Sequence, residues 1–99
     1  MNVTVTVDRY VVDTLLRDLV GRDRRRSAFL VYLHLATRPA ARHHRKLTAS
    51  YAELAVQTGL SRSAVQAAVR HLKRRLLVRV EHPSPTATPV YQVLRPWRR

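Results

Sequence analysis

Residues 54–72, LAVQTGLSRSAVQAAVRHL, place two apolar stripes of helical spacing on either side of a Gly and a Ser. That arrangement constrains the fold more than any other part of the chain. The first stripe lies in YAELAVQT, introduced by Ser50 and Glu53 at the S-x-x-E spacing of a capping box, with Ala52, Leu54 and Ala55 expected to turn inward. Gly59 follows Thr58 where a chain leaving a helix often needs positive φ, and Leu60 is expected to return to the core. Ser61 is a cap for the second helix. There Val65, Ala68, Val69, Leu72 and Leu76 share one face at about 100° per residue. Two helices joined by so tight a corner form a helix-turn-helix.

The outer face of the second helix raises the functional question. It carries Arg62, Ser63, Gln66, Ala67, Arg70, Lys73 and Arg74, and no bulky apolar side chain. Arg can fork onto guanine, Gln onto adenine, and a small Ala or Ser can touch a thymine methyl. Arg62, Ser63, Gln66, Ala67 and Arg70 are therefore candidates for reading bases in a major groove.

Charge supports a polyanionic partner. Nineteen Lys and Arg stand against six Asp and Glu, a net of +13. Residues 1–23 hold three Arg and four Asp, so the excess of cation lies wholly in residues 24–99. Such an uneven field concentrates nucleic acid beside one part of a molecule.

Around this centre, VTVTV at 3–7 alternates with period two, the pattern of a short half-buried strand. Asp8 then reads as an N-cap for an amphipathic helix over 9–20, with Val12, Leu15, Leu16 and Leu19 inward and an end at Gly21. Ser27 is the expected cap of an almost wholly apolar helix over 28–37, which is placed centrally because such a helix needs cover on more than one side. Within it His34 reads as a histidine hydrogen-bonded at the core margin. Pro39 stops that helix, 38–46 reads as a basic loop, and 46–49 as one short strand. The flanks of HPSPTATP (82–89), LLVRV and VYQVL, read as paired strands, and RPWRR closes the chain as a basic tail.

The stretch ELAVQTGLSRSAVQAAVRHLKRRLLVRV resembles the winged helix-turn-helix of bacterial regulators of the GntR and MarR kind, and small domains shared with plasmid replication initiators. The resemblance covers about residues 27–94, and by position Arg62, Ser63, Gln66 and Arg70 match the family's base- and phosphate-contacting residues. It implies a mainly α fold with a small β-wing, here preceded by an N-terminal strand and helix. Two departures stand out. Leu76 occupies the place of the family's usual Gly after the recognition helix, so the helix is expected to end differently or run on through Arg75, because a left-handed Leu would cost roughly 1 kcal/mol or more. The wing tip holds three Pro and no Lys or Arg.

Three segments are thus expected: 1–26 for packing or dimerisation, 27–94 for DNA binding, and 95–99 as a basic tail. The expected function is that of a sequence-specific double-stranded DNA-binding protein, a transcriptional regulator that inserts helix 61–75 into the major groove. Alternatives are a plasmid or phage replication initiator, a nucleoid-associated protein, or a winged-helix module that binds RNA or an acidic protein. Phosphate contacts are expected from Arg45, Lys46, Ser50, Tyr51, Ser61, Lys73, Arg74, Ser84, Thr86, Arg98 and Arg99. Trp97 either joins that tail or packs on the body. A homodimer is expected through Val5, Val12, Leu15, Leu16 and Leu19. No signal peptide, membrane span, cofactor or small-molecule effector is expected, and the location is expected to be cytoplasmic, at the nucleoid. Absence of cysteine removes disulfides and thiol chemistry, and His43–His44 lacks the spacing of a metal site. With no grouped carboxylates, Gly-rich phosphate loop or Ser/His/Asp set, catalysis is not expected.

Overall fold

A computed structural model describes residues 3–98. The chain is mainly α with a small antiparallel sheet. After the N-terminal helix come α1 (Arg26–Ala36), the short α2 (Pro39–Arg42), β1 (Leu47–Thr48), α3 (Tyr51–Thr58), α4 (Arg62–Arg74), β2 (Val78–Glu81) and β3 (Val90–Val93). The strands lie in the order β1-β3-β2, with Leu47 opposite Tyr91 and Val80 opposite the same Tyr91 on its other side.

The core gathers around α1, as its apolar character requires. Ala28, Phe29, Val31, Tyr32, Leu35 and Ala36 are all buried, and α1 packs on α4, α3, β3 and the N-terminal helix. Leu54 of α3, four residues of α4 (Val65, Ala68, Val69 and Leu72), and Tyr91 and Val93 of β3 complete the interior. Tyr32 reaches through the core to donate its hydroxyl proton to the Leu94 carbonyl at 2.9 Å. Tyr91 is equally buried, yet its hydroxyl has no partner among the described residues. Burial pushes the pKa of both phenols up.

The helical corner forms as its residues dictate. Ser50 accepts from Glu53 N, and the Glu53 carboxylate accepts from Ser50 N, closing both halves of the capping box. Gly59 adopts φ 77°, and Ser61 accepts from Ala64 N at 3.1 Å. Leu54 is buried and Ala55 partly so, but Ala52 is exposed, because this helix of two turns presents only a narrow stripe to α1 and α4.

Several expectations need correction. Residues 3–7 form no strand. Asp8 caps no helix with its side chain; its carboxylate accepts from Trp97 Nε1 and Arg98 Nε, and this draws the segment to the tail and not to a sheet edge. The N-terminal helix runs to Arg22 and includes Gly21, and it is wound largely as a π-helix in two runs, Val11–Leu15 and Arg17–Arg22. Leu16 N donates to Val11 O, and Asp23 N to Asp18 O. Val11, Leu15 and Leu19, spaced four apart along this helix, are buried, while Val12 and Leu16 stay exposed. Ser27 lies inside α1 and caps nothing; the cap position is Arg25. Pro39 starts the turn of helix Pro39–Arg42 within the expected basic loop, its fixed φ suiting the first helical position.

Leu76 departs furthest from expectation. It takes φ 57°, is 70% exposed, and therefore lies outside the core face of α4. Leu77 N donates to Leu72 O at 2.9 Å and Leu76 N to Lys73 O at 3.1 Å. These are the two hydrogen bonds of a Schellman motif, and the apolar contact that accompanies them is supplied by buried Leu72 and Leu77. Burial of Leu77 at the start of β2 outweighs the left-handed strain at Leu76.

Candidate nucleic-acid interface

The outer face of α4 is built by subtraction. Val65, Ala68, Val69 and Leu72 hold one side of the helix in the core, which leaves Arg62, Ser63, Gln66, Arg70, Lys73 and Arg74 exposed on the other. Among the described residues, Arg62, Gln66, Arg70, Lys73 and Arg74 make no side-chain hydrogen bond or ion pair. Ser63 only exchanges a contact with Ser61 at 3.2 Å. Ala67 is half-buried at the edge of this face. Arg62, Gln66 and Arg70 stand four residues apart, so the line they form spans about 12 Å of helix.

From the opposite side, α4 is held by Asp23, the residue just past the N-terminal helix. His71 Nε2 lies 2.7 Å from Asp23 Oδ2, with both side chains largely buried, and Arg75 Nε lies 3.2 Å from the same oxygen. This contact joins residues 48 positions apart, and neither end carried a local signal for it. Sequence reasoning missed it for that reason.

Five of the six carboxylates are engaged away from the outer face of α4. Asp8 is taken by Arg98 and Trp97, Asp13 by Arg9, Asp23 by His71 and Arg75, Glu53 by its capping box, and Glu81 by Lys46. From residue 54 to residue 80 the chain has no Asp or Glu at all. Asp23 meets α4 only at His71 and Arg75, so among the described residues the cations of the outer face, Arg62, Arg70, Lys73 and Arg74, have no carboxylate partner.

The remaining candidates divide. The β2–β3 connection folds its tip toward the start of α3, and Thr86, Pro85 and His82 line a depression shared with Ser50, Tyr51 and Arg62. Ser84 and Thr86 are exposed, and Tyr51 is half-buried. Ser50 and Ser61 use their oxygens as cap acceptors, with the hydroxyl hydrogens left to donate elsewhere. Arg45 is exposed. Lys46, expected on phosphate, is instead 2.9 Å from Glu81 in a half-exposed pair. Such a pair contributes little and exchanges readily.

The tail belongs to the body. Trp97 stacks on Tyr10 with ring centroids 4.6 Å apart and meets Tyr32 edge-on at 6.4 Å. Arg98 chelates Asp8, so its expected phosphate contact is replaced by an internal one. That hydrogen bond holds the Asp8 carboxyl below the usual carboxylate range; the Trp97 N–H and the charges of Arg98 and Arg95 act the same way, and partial burial opposes them. Arg99 lies outside the described residues. His34 has the marginal role expected of it, with Nε2 2.8 Å from Gln57 Oε1.

Leu15 and Leu19, expected at a dimer surface, are buried in their own chain and can form none. Val5, Val12 and Leu16 remain exposed. Among the described residues no three His, Asp or Glu side chains gather as a metal-ligand set, and no helix is long and apolar enough to cross a membrane. No protein-family model, no curated protein and no solved structure matches this chain.

Proposed function

We propose that this chain is a winged helix-turn-helix protein that binds double-stranded DNA sequence-specifically and acts as a transcriptional regulator. The observation that carries the proposal is the face of α4: a row of exposed, unpaired Arg62, Gln66 and Arg70 continued by Lys73 and Arg74, on the back of a helix whose other side is fully packed. Supporting it is the order of elements, with a strand before the helix pair and a two-stranded ribbon after it, whose turn lies beside the start of α4. In the mechanism, α4 enters the major groove. Its span from Arg62 to Arg70 covers three or four base-pair steps at roughly 3.4 Å each. Arg62, Ser63, Gln66 and Arg70 then read or position, while Lys73, Arg74 and Arg45 neutralise phosphates.

Selection of bound duplexes from a random pool at near-physiological salt tests the reading. A recovered motif is expected, with affinity for it falling on the order of a thousandfold over a fourfold rise in salt if six or so phosphates are neutralised. Gln66→Ala should relax preference at one base pair, and Lys73→Ala should weaken all duplexes alike and flatten the salt slope by about one. Duplex binding without a motif would turn the proposal toward an architectural or replication role. Preference for structured RNA, or identical behaviour of the two variants on matched and scrambled duplexes, would overturn it.

A further inference from the structure

Residues 3–7 present a strand-forming sequence that finds no strand within its own chain. Val3, Thr4, Val5 and Thr6 are exposed, Val3 at 82% and Val5 at 53%, and Val7 alone packs against the core. Residues 3–6 enter no turn, cap or ladder hydrogen bond among the described residues. Alternating Val and Thr favour a pleated, half-covered environment that this placement does not supply.

We propose that a second copy of this chain supplies it, through antiparallel pairing of residues 3–7 across a two-fold axis at Val5. Three observations converge on that occupant. First, VTVTV reads the same in both directions. Antiparallel self-pairing about Val5 puts Val3 opposite Val7, Thr4 opposite Thr6, and Val5 opposite Val5, so like side chains meet on each face, as an isologous contact demands. Second, the partner must tolerate approach to a chain of net charge +13, and residues 1–23 are the one stretch in which Asp outnumbers Arg. Arg98, the tail cation that reaches this segment, is already paired with Asp8, which lowers the repulsion between two copies meeting there. Third, a two-stranded ribbon is marginal by itself, and the adjoining helix leaves Val12 and Leu16 exposed four residues apart, apolar surface that the second copy would cover. The buried Leu15 and Leu19 have no part in this surface.

Because the chain contains no cysteine, single substitutions give a clean readout. Residues directly opposite in an antiparallel pair have Cα atoms about 4.5–5.5 Å apart, within disulfide reach, whereas diagonal neighbours at about 7–8 Å are beyond it. In the full chain at about 100 μM, Val5→Cys is expected to oxidise to a disulfide dimer. Thr4→Cys alone and Thr6→Cys alone should crosslink at least tenfold more slowly, and an equimolar mixture of the two, in which half of the dimers are mixed, should crosslink at about half the rate of Val5→Cys. In sedimentation the unmodified chain should associate to a dimer, and Val5→Lys should be monomeric with an unchanged circular dichroism spectrum. Equal crosslinking at positions 4 and 5, a monomeric unmodified chain at that concentration, or a dimer that survives Val5→Lys would each overturn the proposal. The experiment contains no nucleic acid, so its failure and the failure of the DNA-binding reading are distinguishable.

Discussion

Leu76 offers a test in which the sign of an energy difference reports the backbone. The residue sits at φ 57° just past α4, with 70% of its surface exposed. Truncation to Ala removes a mostly solvated side chain but leaves a Cβ in the left-handed region, which costs roughly 1–2 kcal/mol. Replacement by Gly relieves that strain while adding unfolded-chain entropy that costs about 0.4–1 kcal/mol. Comparing Gly with Ala cancels the side-chain contribution, and Leu76→Gly should be more stable than Leu76→Ala by about 0.5–1 kcal/mol. At a position of ordinary helical φ the order reverses, with Gly less stable by about the same amount. Chemical denaturation read by circular dichroism measures the difference, and for a domain of this size each kcal/mol moves Tm by roughly 4–8 °C. Leu76→Ala equal to or more stable than Leu76→Gly would refute both the left-handed assignment and the Schellman account of how α4 hands over to β2. The functional consequence is testable in the same variants, since this turn sets where the β2–β3 ribbon stands relative to α4.

The two buried phenols should respond oppositely to loss of the hydroxyl: Tyr32→Phe removes the bond to Leu94 O and should cost about 1 kcal/mol, whereas Tyr91→Phe removes an unpartnered polar atom and should be neutral or stabilising in the same denaturation assay. Asp8 anchors the tail through a carboxyl whose folded pKa is depressed, so its stabilisation is present above the unfolded value near pH 4 and is lost as pH falls through the folded one. Asp8→Asn should therefore lower stability at neutral pH, flatten the acid limb of the stability profile below about pH 4, and shift the emission of Trp97, the only Trp, toward that of a solvated indole. An acid limb identical to that of the unmodified chain would remove Asp8 from the account.

The parts of the fold that were legible in the sequence are those fixed by neighbours within a few residues. The capping box, Gly59, the Ser61 cap and the buried stripe of α4 each follow from interactions spanning three to eight positions, and the exposed polar face follows from the same periodicity. What was not legible depends on partners far along the chain. Asp8 looks like a helix cap until Trp97 and Arg98 arrive, Lys46 looks free until Glu81 is beside it, and Asp23 gives no sign that it will hold His71. The N-terminal helix is ambiguous in the sequence for a different reason. Its apolar residues fit a stripe through Val12 and Leu16 as well as one through Val11, Leu15 and Leu19, and packing against the rest of the chain selects the second. At Leu76 the sequence displays the local strain but not the burial of Leu77 next to it, which offsets that strain.

Asp23, His71 and Arg75 fasten α4 from behind, with Ser61 securing its first turn and Leu77 its last. Folding thus draws on one half of the helix circumference and asks almost nothing of the other. Changes at Arg62, Gln66 or Arg70 can then accumulate without eroding thermal stability, and a lineage carrying this scaffold could acquire new recognition by exchanging three side chains while every supporting contact stays as it is.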